Sequence, residues 1–196
     1  MLAACKEKND TSAVPAPAET KDSTVKRDDS IKSYLPIADF IQEDMRKADS
    51  SGAGILRKRT INGKKDSGYI QMPEFHRIAR GFLLGLLDTA SFQHQFNEAS
   101  LFDQTTQSMD FIYSANTDST ILRKAIVYII PTPAKDKVDR IYMERQYMKG
   151  DTAVQEKLTW KMQRFFYILT FLKPANGQPT TKIERVIWEP QDYHEE

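Results

Sequence analysis

Apolar and polar positions alternate with a period of two from Val138 to Leu172, and the rest of the chain reads outward from that stretch. Ile141, Met143 and Tyr147 fall on one side, with Arg140, Tyr142, Glu144 and Gln146 on the other. Past Lys149-Gly150-Asp151-Thr152 the alternation resumes, setting Leu158, Trp160 and Met162 against Gln155, Lys157, Thr159, Lys161 and Gln163. A period of two with one apolar side predicts a half-buried antiparallel pair, and Gly-Asp is hairpin chemistry. Run as one strand, Ala153 to Leu172 would be about 66 Å long, whereas a domain of this size is only about 40 Å across. The pattern therefore predicts a break near Gln163-Arg164, with strands over 153–162 and 165–172.

Helical spacing dominates nearer the start. Pro36 suits a first helical turn, and Ile37, Phe40, Ile41 and Met45 recur on one face until Asp49-Ser50-Ser51-Gly52. Ile55–Ile61 and Lys64–Ile70 flank Asn62-Gly63, a strong short-range hairpin signal. From Pro73 the residues Phe75, Ile78, Ala79, Phe82, Leu83, Leu86 and Leu87 form an i, i+3, i+4 stripe, predicting one helix over 73–88. Gly81 and Gly85 on it offer close approach to another element. Phe92, Phe96 and Ala99 predict a further helix over 92–100. Beyond Ser108 the pattern turns to strands: Met109, Phe111 and Tyr113 alternate, Ile121–Ile130 is a nearly continuous apolar run closed by Pro131 and Pro133, and Ile183–Trp188 is the last. Helices and strands are segregated rather than alternating. That predicts an α+β fold, a curved antiparallel meander of about six to eight strands with about three helices packed on it. Its boundaries are a tether over 1–30, a single domain over 31–190 and a frayed polar end over 191–196.

Composition narrows the function classes. Lys+Arg at 28 against Asp+Glu at 27 leaves a net charge of +1, which gives no electrostatic case for a nucleic-acid partner. No apolar run approaches the length of a membrane-spanning helix. Cys5 is the only cysteine, so neither an internal disulfide framework nor a multi-cysteine metal site is available. Lys6 to Ser30 carries no aromatic residue and only Val14 and Val25 as sizeable apolar groups. Such a composition cannot offset its own ordering entropy.

Leu2-Ala3-Ala4-Cys5 resembles the lipobox of bacterial lipoproteins, in which small residues fit the signal peptidase ahead of a cysteine that is then acylated. The resemblance covers four residues. It departs from the family pattern in one respect: the basic and apolar parts of a signal peptide that should precede Leu2 are missing from the sequence. It implies lipid attachment at Cys5, a bacterial membrane as a partner, and a place in the cell envelope, at the outer membrane or the cell surface. Lys6-Glu7-Lys8 loosely resembles the charged signals that send some lipoproteins to the surface. About 25 flexible residues would hold the domain roughly 25–30 Å from its anchor.

Catalytic and cofactor signatures are absent: no G-x-G-x-x-G, G-x-x-x-x-G-K, H-E-x-x-H or G-x-S-x-G occurs. No residue is therefore assigned to catalysis, a cofactor or a metal. Three functions are compatible with that. The first is a non-catalytic binding or scaffolding domain for an unidentified envelope protein. The second is a carrier of a hydrophobic ligand, the meander curving around an apolar cavity near Phe165, Phe166, Tyr167, Phe171, Trp160 and Trp188. Against it stands plain core packing for the same aromatics. The third is a hydrolase of an envelope polymer, with His76 or His94 and a carboxylate as acid and base. Two histidines without a third ligand are otherwise ordinary surface residues. Arg57, Lys58, Arg59, Lys64 and Lys65 on the first hairpin suit a phosphate or an acidic sugar, or else a charged sheet edge that blocks aggregation.

Overall fold

The computed structural model describes residues 34–86 and 89–188. The chain separates into two units, residues 1–32 and 33–196, and all described residues belong to the second. Cys5, the lipobox, the tether and the end over 191–196 lie outside the described residues.

Among the described residues nine strands form one antiparallel sheet: β1 (Ile55–Ile61), β2 (Lys64–Ile70), β3 (Phe96–Asp103), β4 (Ser108–Ala115), β5 (Leu122–Ile130), β6 (Lys137–Lys149), β7 (Thr152–Lys161), β8 (Phe165–Pro174) and β9 (Thr180–Ile187). The order across the sheet is β2-β1-β9-β8-β7-β6-β5-β4-β3, so β2 and β3 are its two edges and the sheet is not closed. Three α-helices accompany it: α1 (Ile37–Ser51), α2 (Met72–Ala79), continued by a 3-10 turn at Arg80–Leu83, and α3 (Thr89–Gln95). The α+β antiparallel architecture is the one expected.

The turns follow their residues. Asn62 and Gly63 have φ of 46° and 83°, the paired positive values of a two-residue hairpin turn, and Gly150 has φ of 62° between β6 and β7. The long apolar stretch breaks at 162–164, where Gln163 takes φ of 62°. Gly52, at 65°, ends α1 in the left-handed cap that glycine permits.

Two expectations are corrected. The strand count is nine rather than six to eight, because the segment expected as a helix over 92–100 divides into α3 and the edge strand β3. Phe92 and Phe96 do share a face, their rings stacked 4.1 Å apart at centroid, but the face is the inner side of a helix-to-strand junction. From Phe96 the chain pairs with β4, Phe96 opposite Ala115 through to Asp103 opposite Ser108. A partner strand outweighed local propensity there. The helix expected over 73–88 is also shorter: α-geometry ends at Ala79, and Gly85 has turned to φ of 81°.

One face of the sheet carries the core. Ile55, Tyr113, Ala125, Val127, Ile141, Met143, Leu158, Trp160, Phe166 and Val186 project from it into one buried cluster with Ile37, Ile41 and Met45 of α1, Phe75 and Ile78 of α2, and Phe82. Trp160, Phe166, Trp188, Phe75 and Phe82 pack ring to ring, with centroids 5.0–5.9 Å apart. Each such ring contributes about 2–3 kcal/mol by burial. Leu56, Ile126, Tyr142 and Tyr167, one residue out of phase, lie on the opposite face and take no part in that cluster.

Candidate functional site

The hairpin β6–β7 fixes the geometry of one end of the sheet. Its two-residue turn sets Lys149 opposite Thr152, and that register places Arg145 directly opposite Glu156. Both stand on the core side, in line with Met143 and Leu158. Alternation from Ile141 and Met143 and the hairpin register together signal this pair: a charged residue stands in phase with the apolar face between Met143 and Tyr147 on β6 and between Val154 and Leu158 on β7, and the turn makes the two partners. The sequence reading left both unassigned.

Arg145 is 3% exposed. Its Nη2 donates to Glu156 Oε2 at 2.7 Å, and its Nη1 donates to the carbonyls of Gly81 at 2.5 Å and Leu84 at 3.2 Å. The guanidinium thus caps the end of the 3-10 turn, sharing the Gly81 carbonyl with the Leu84 N–H, and ties that turn to the sheet. Tyr147 follows on the same side. Burial pushes its hydroxyl above the ordinary range, and the negative charge of Glu156 adds to the shift.

Outside this ion pair the same end of the sheet opens into a cleft of about 870 Å³. Its lining takes the cross-strand row Gln146–Gln155–Phe171–Thr181 and the next row, Tyr147–Val154–Leu172–Thr180. The loop between β4 and β5 adds Asp118 and Ile121, and the start of β5 adds Arg123. Ile121, Met148 and Phe171, three large apolar residues left exposed on the described surface, gather here at 37%, 64% and 39% exposure. Concave, mostly apolar surface with a few polar groups is what small-ligand sites share. A second, smaller cleft of about 440 Å³ lies between Phe40, Glu43 and Lys47 of α1 and the 132–138 segment.

The residues singled out in the sequence are distributed as follows. His76 on α2 is held by Asp49 at the end of α1, Nε2 to Oδ1 at 2.7 Å. His94 is exposed on α3, and neither histidine lines the large cleft. Among the described residues no group of three or more His, Cys, Asp or Glu is placed to hold a metal ion. Trp160, Trp188 and Phe166 are taken up by the core against Phe75 and Phe82, whereas Phe171 faces the cleft. The basic hairpin divides. Lys64 and Lys65 stand on the edge strand β2, Arg59 pairs with Asp66, and Arg57 turns inward to Glu184 and to Glu74, the latter at 3.0 Å. Lys182 joins Glu184 at 3.1 Å. With its guanidinium committed to two carboxylates, Arg57 is not available to a phosphate.

No protein-family model matches the chain, and no curated protein matches it.

Proposed function

We propose that this protein is lipid-anchored in the bacterial cell envelope, at the outer membrane or the cell surface, and that its domain binds a partner without transforming it. The observation that carries the reading is Leu2-Ala3-Ala4-Cys5 followed at once by a long polar segment free of aromatic residues. Acyl chains on Cys5 hold the membrane, and more than one of them makes the attachment stable where a single chain is marginal. The domain then serves as a binding or scaffolding module for an envelope protein. Exposed Ile121, Met148 and Phe171, clustered at one end of the sheet, support a surface meant to be covered. Fractionation of cells expressing the gene with its upstream codons tests the anchor. Wild type is expected in the membrane fraction and Cys5→Ala outside it; a wild type found in the soluble fraction contradicts the reading.

The cleft favours a second reading, in which the domain carries a hydrophobic ligand. In this reading the hairpin end of the sheet is open to the ligand, with Phe171, Leu172, Val154 and Ile121 as the apolar lining. Native mass spectrometry after gentle purification is expected to find a small molecule retained on the protein. Bare protein alone counts against this reading.

A further inference from the structure

We infer that the large cleft takes a long aliphatic chain ending in a carboxylate; this rests on the reading of the cleft as a ligand site and names the class of ligand. Two features of the lining point the same way. The apolar part, Ile121 of the β4–β5 loop, Val154 of β7 and Phe171 and Leu172 of β8, lines a cleft of about 870 Å³, room for an extended chain rather than for one compact group. The charged part is unbalanced: Arg123 and Lys173 stand against Asp118 alone.

Arg123 is the better placed of the two cations. Its side chain is 24% exposed, and its Nη1 donates to the Thr117 carbonyl at 3.2 Å and to Asp118 Oδ1 at 3.3 Å. The carbonyl fixes the position of the guanidinium at the rim of the cleft. Asp118 is fully exposed, and a solvated carboxylate at that distance is a weak partner. A guanidinium can serve two acceptors at once, so an arriving carboxylate gains a pre-positioned cation without breaking the contact to Thr117. Lys173, exposed on β8, adds a second positive charge. The amides of Gln146 and Gln155 line the same opening and can donate to the head group. A neutral chain would find the apolar lining but leave this excess positive charge uncompensated.

The test uses the full chain, with dodecanoate and dodecan-1-ol as probes, each titrated by calorimetry below its aggregation limit. Dodecanoate is expected to bind at one site about tenfold more tightly than the alcohol, as a charge-assisted contact implies. Arg123→Gln is expected to remove that difference, Lys173→Gln to reduce it, and Phe171→Ser to weaken both probes. Lys173 and Phe171 are exposed, so unfolding midpoints near that of wild type are expected for those two variants and separate a binding effect from a folding one. Equal affinity for acid and alcohol, with Arg123→Gln silent, overturns the inference and leaves the cleft as a site for neutral apolar ligands. Failure of both probes to bind, or binding that Phe171→Ser leaves unchanged, overturns the inference and the ligand-site reading together.

Discussion

Asp44 lies wholly buried on α1, where its Oδ2 accepts two hydrogen bonds, from Trp160 Nε1 and from the Gln163 backbone N–H, each at 2.8 Å. These bonds hold α1 to the turn that breaks the long apolar stretch, and they stabilise a backbone conformation in which Gln163 has positive φ. Oδ1 has no partner among the described residues. Burial raises the carboxyl above its ordinary 3.8, against the opposing pull of the Gln163 and Trp160 bonds. A folded-state pKa above the unfolded value means that the folded chain binds the proton more tightly. The contribution to stability is full below the unfolded value and is lost as pH rises through the folded one. Asp44→Asn keeps an acceptor for both N–H groups and removes the charge. Urea midpoints taken from pH 3.8 upward should show wild type losing stability relative to Asp44→Asn as pH rises. Asp44→Ala leaves the buried Trp160 donor and the part-buried Gln163 N–H unpaired and should cost about 2–4 kcal/mol at acidic pH, less as pH rises.

Arg145 and Glu156 allow a sharper comparison. Arg145→Met strands a mostly buried carboxylate and releases the Gly81 and Leu84 carbonyls, for an expected loss of about 3–5 kcal/mol. Glu156→Leu leaves Arg145 its two carbonyl partners and should cost less. Combined, the two substitutions should regain much of the loss, a coupling that a double-mutant cycle in denaturant reads directly. Simple additivity would mean that the pair is not coupled as its 2.7 Å geometry implies.

At the scale of elements, what was legible depended on whether the deciding residues were neighbours in sequence. Both tight hairpins were legible because Asn62-Gly63 and Gly150-Asp151 carry their own turn chemistry. The break in the long apolar stretch followed from length alone. β3 was not legible: Glu98 and Ala99 favour a helix, and the strand exists because β4 lies beside it. One local signal was available, since Asp103 accepts from the backbone N–H of Thr105 at 2.8 Å and from Thr106 Oγ1 at 2.9 Å, an Asp-initiated turn that closes a hairpin. The early end of α2 was equally hidden, and the 3-10 turn that follows it is held by Arg145, more than sixty residues away. Gly81 and Gly85, equivalent in the sequence reading, differ in the fold. A Cβ on Gly85 would sit 3.4 Å from Leu122 Cβ on a backbone with φ of 81°, whereas one on Gly81 meets nothing within 4 Å. Gly85→Ala is expected to destabilise by about 1–2 kcal/mol. Gly81→Ala should be neutral or stabilising by up to about 1 kcal/mol, and unfolding midpoints that ranked the two the other way would contradict this placement.

Across the whole molecule, β1 pairs with β9 and brings the start of the domain against its end, Arg57 closing onto Glu184 as it does so. Nothing in the sequence selects that pairing, because both strands carry ordinary alternation and the partner is set by the finished sheet. The strand segments other than β3 could be read locally; their order, the burial of the Arg57 and Arg145 ion pairs and the cleft at the hairpin end could not. The cleft gathers residues from β5 to β9 and two loops, each unremarkable in its own stretch of sequence. The central claim concerns the function of this domain at a membrane, and Cys5 carries it. The most direct measurement is the intact mass of the mature protein isolated from the membrane fraction, beside Cys5→Ala made from the same gene with its upstream codons. The account predicts a wild-type chain beginning at Cys5 and heavier than its sequence by lipid acyl chains, an increment lost in Cys5→Ala. A wild-type mass that matches the bare sequence would contradict it.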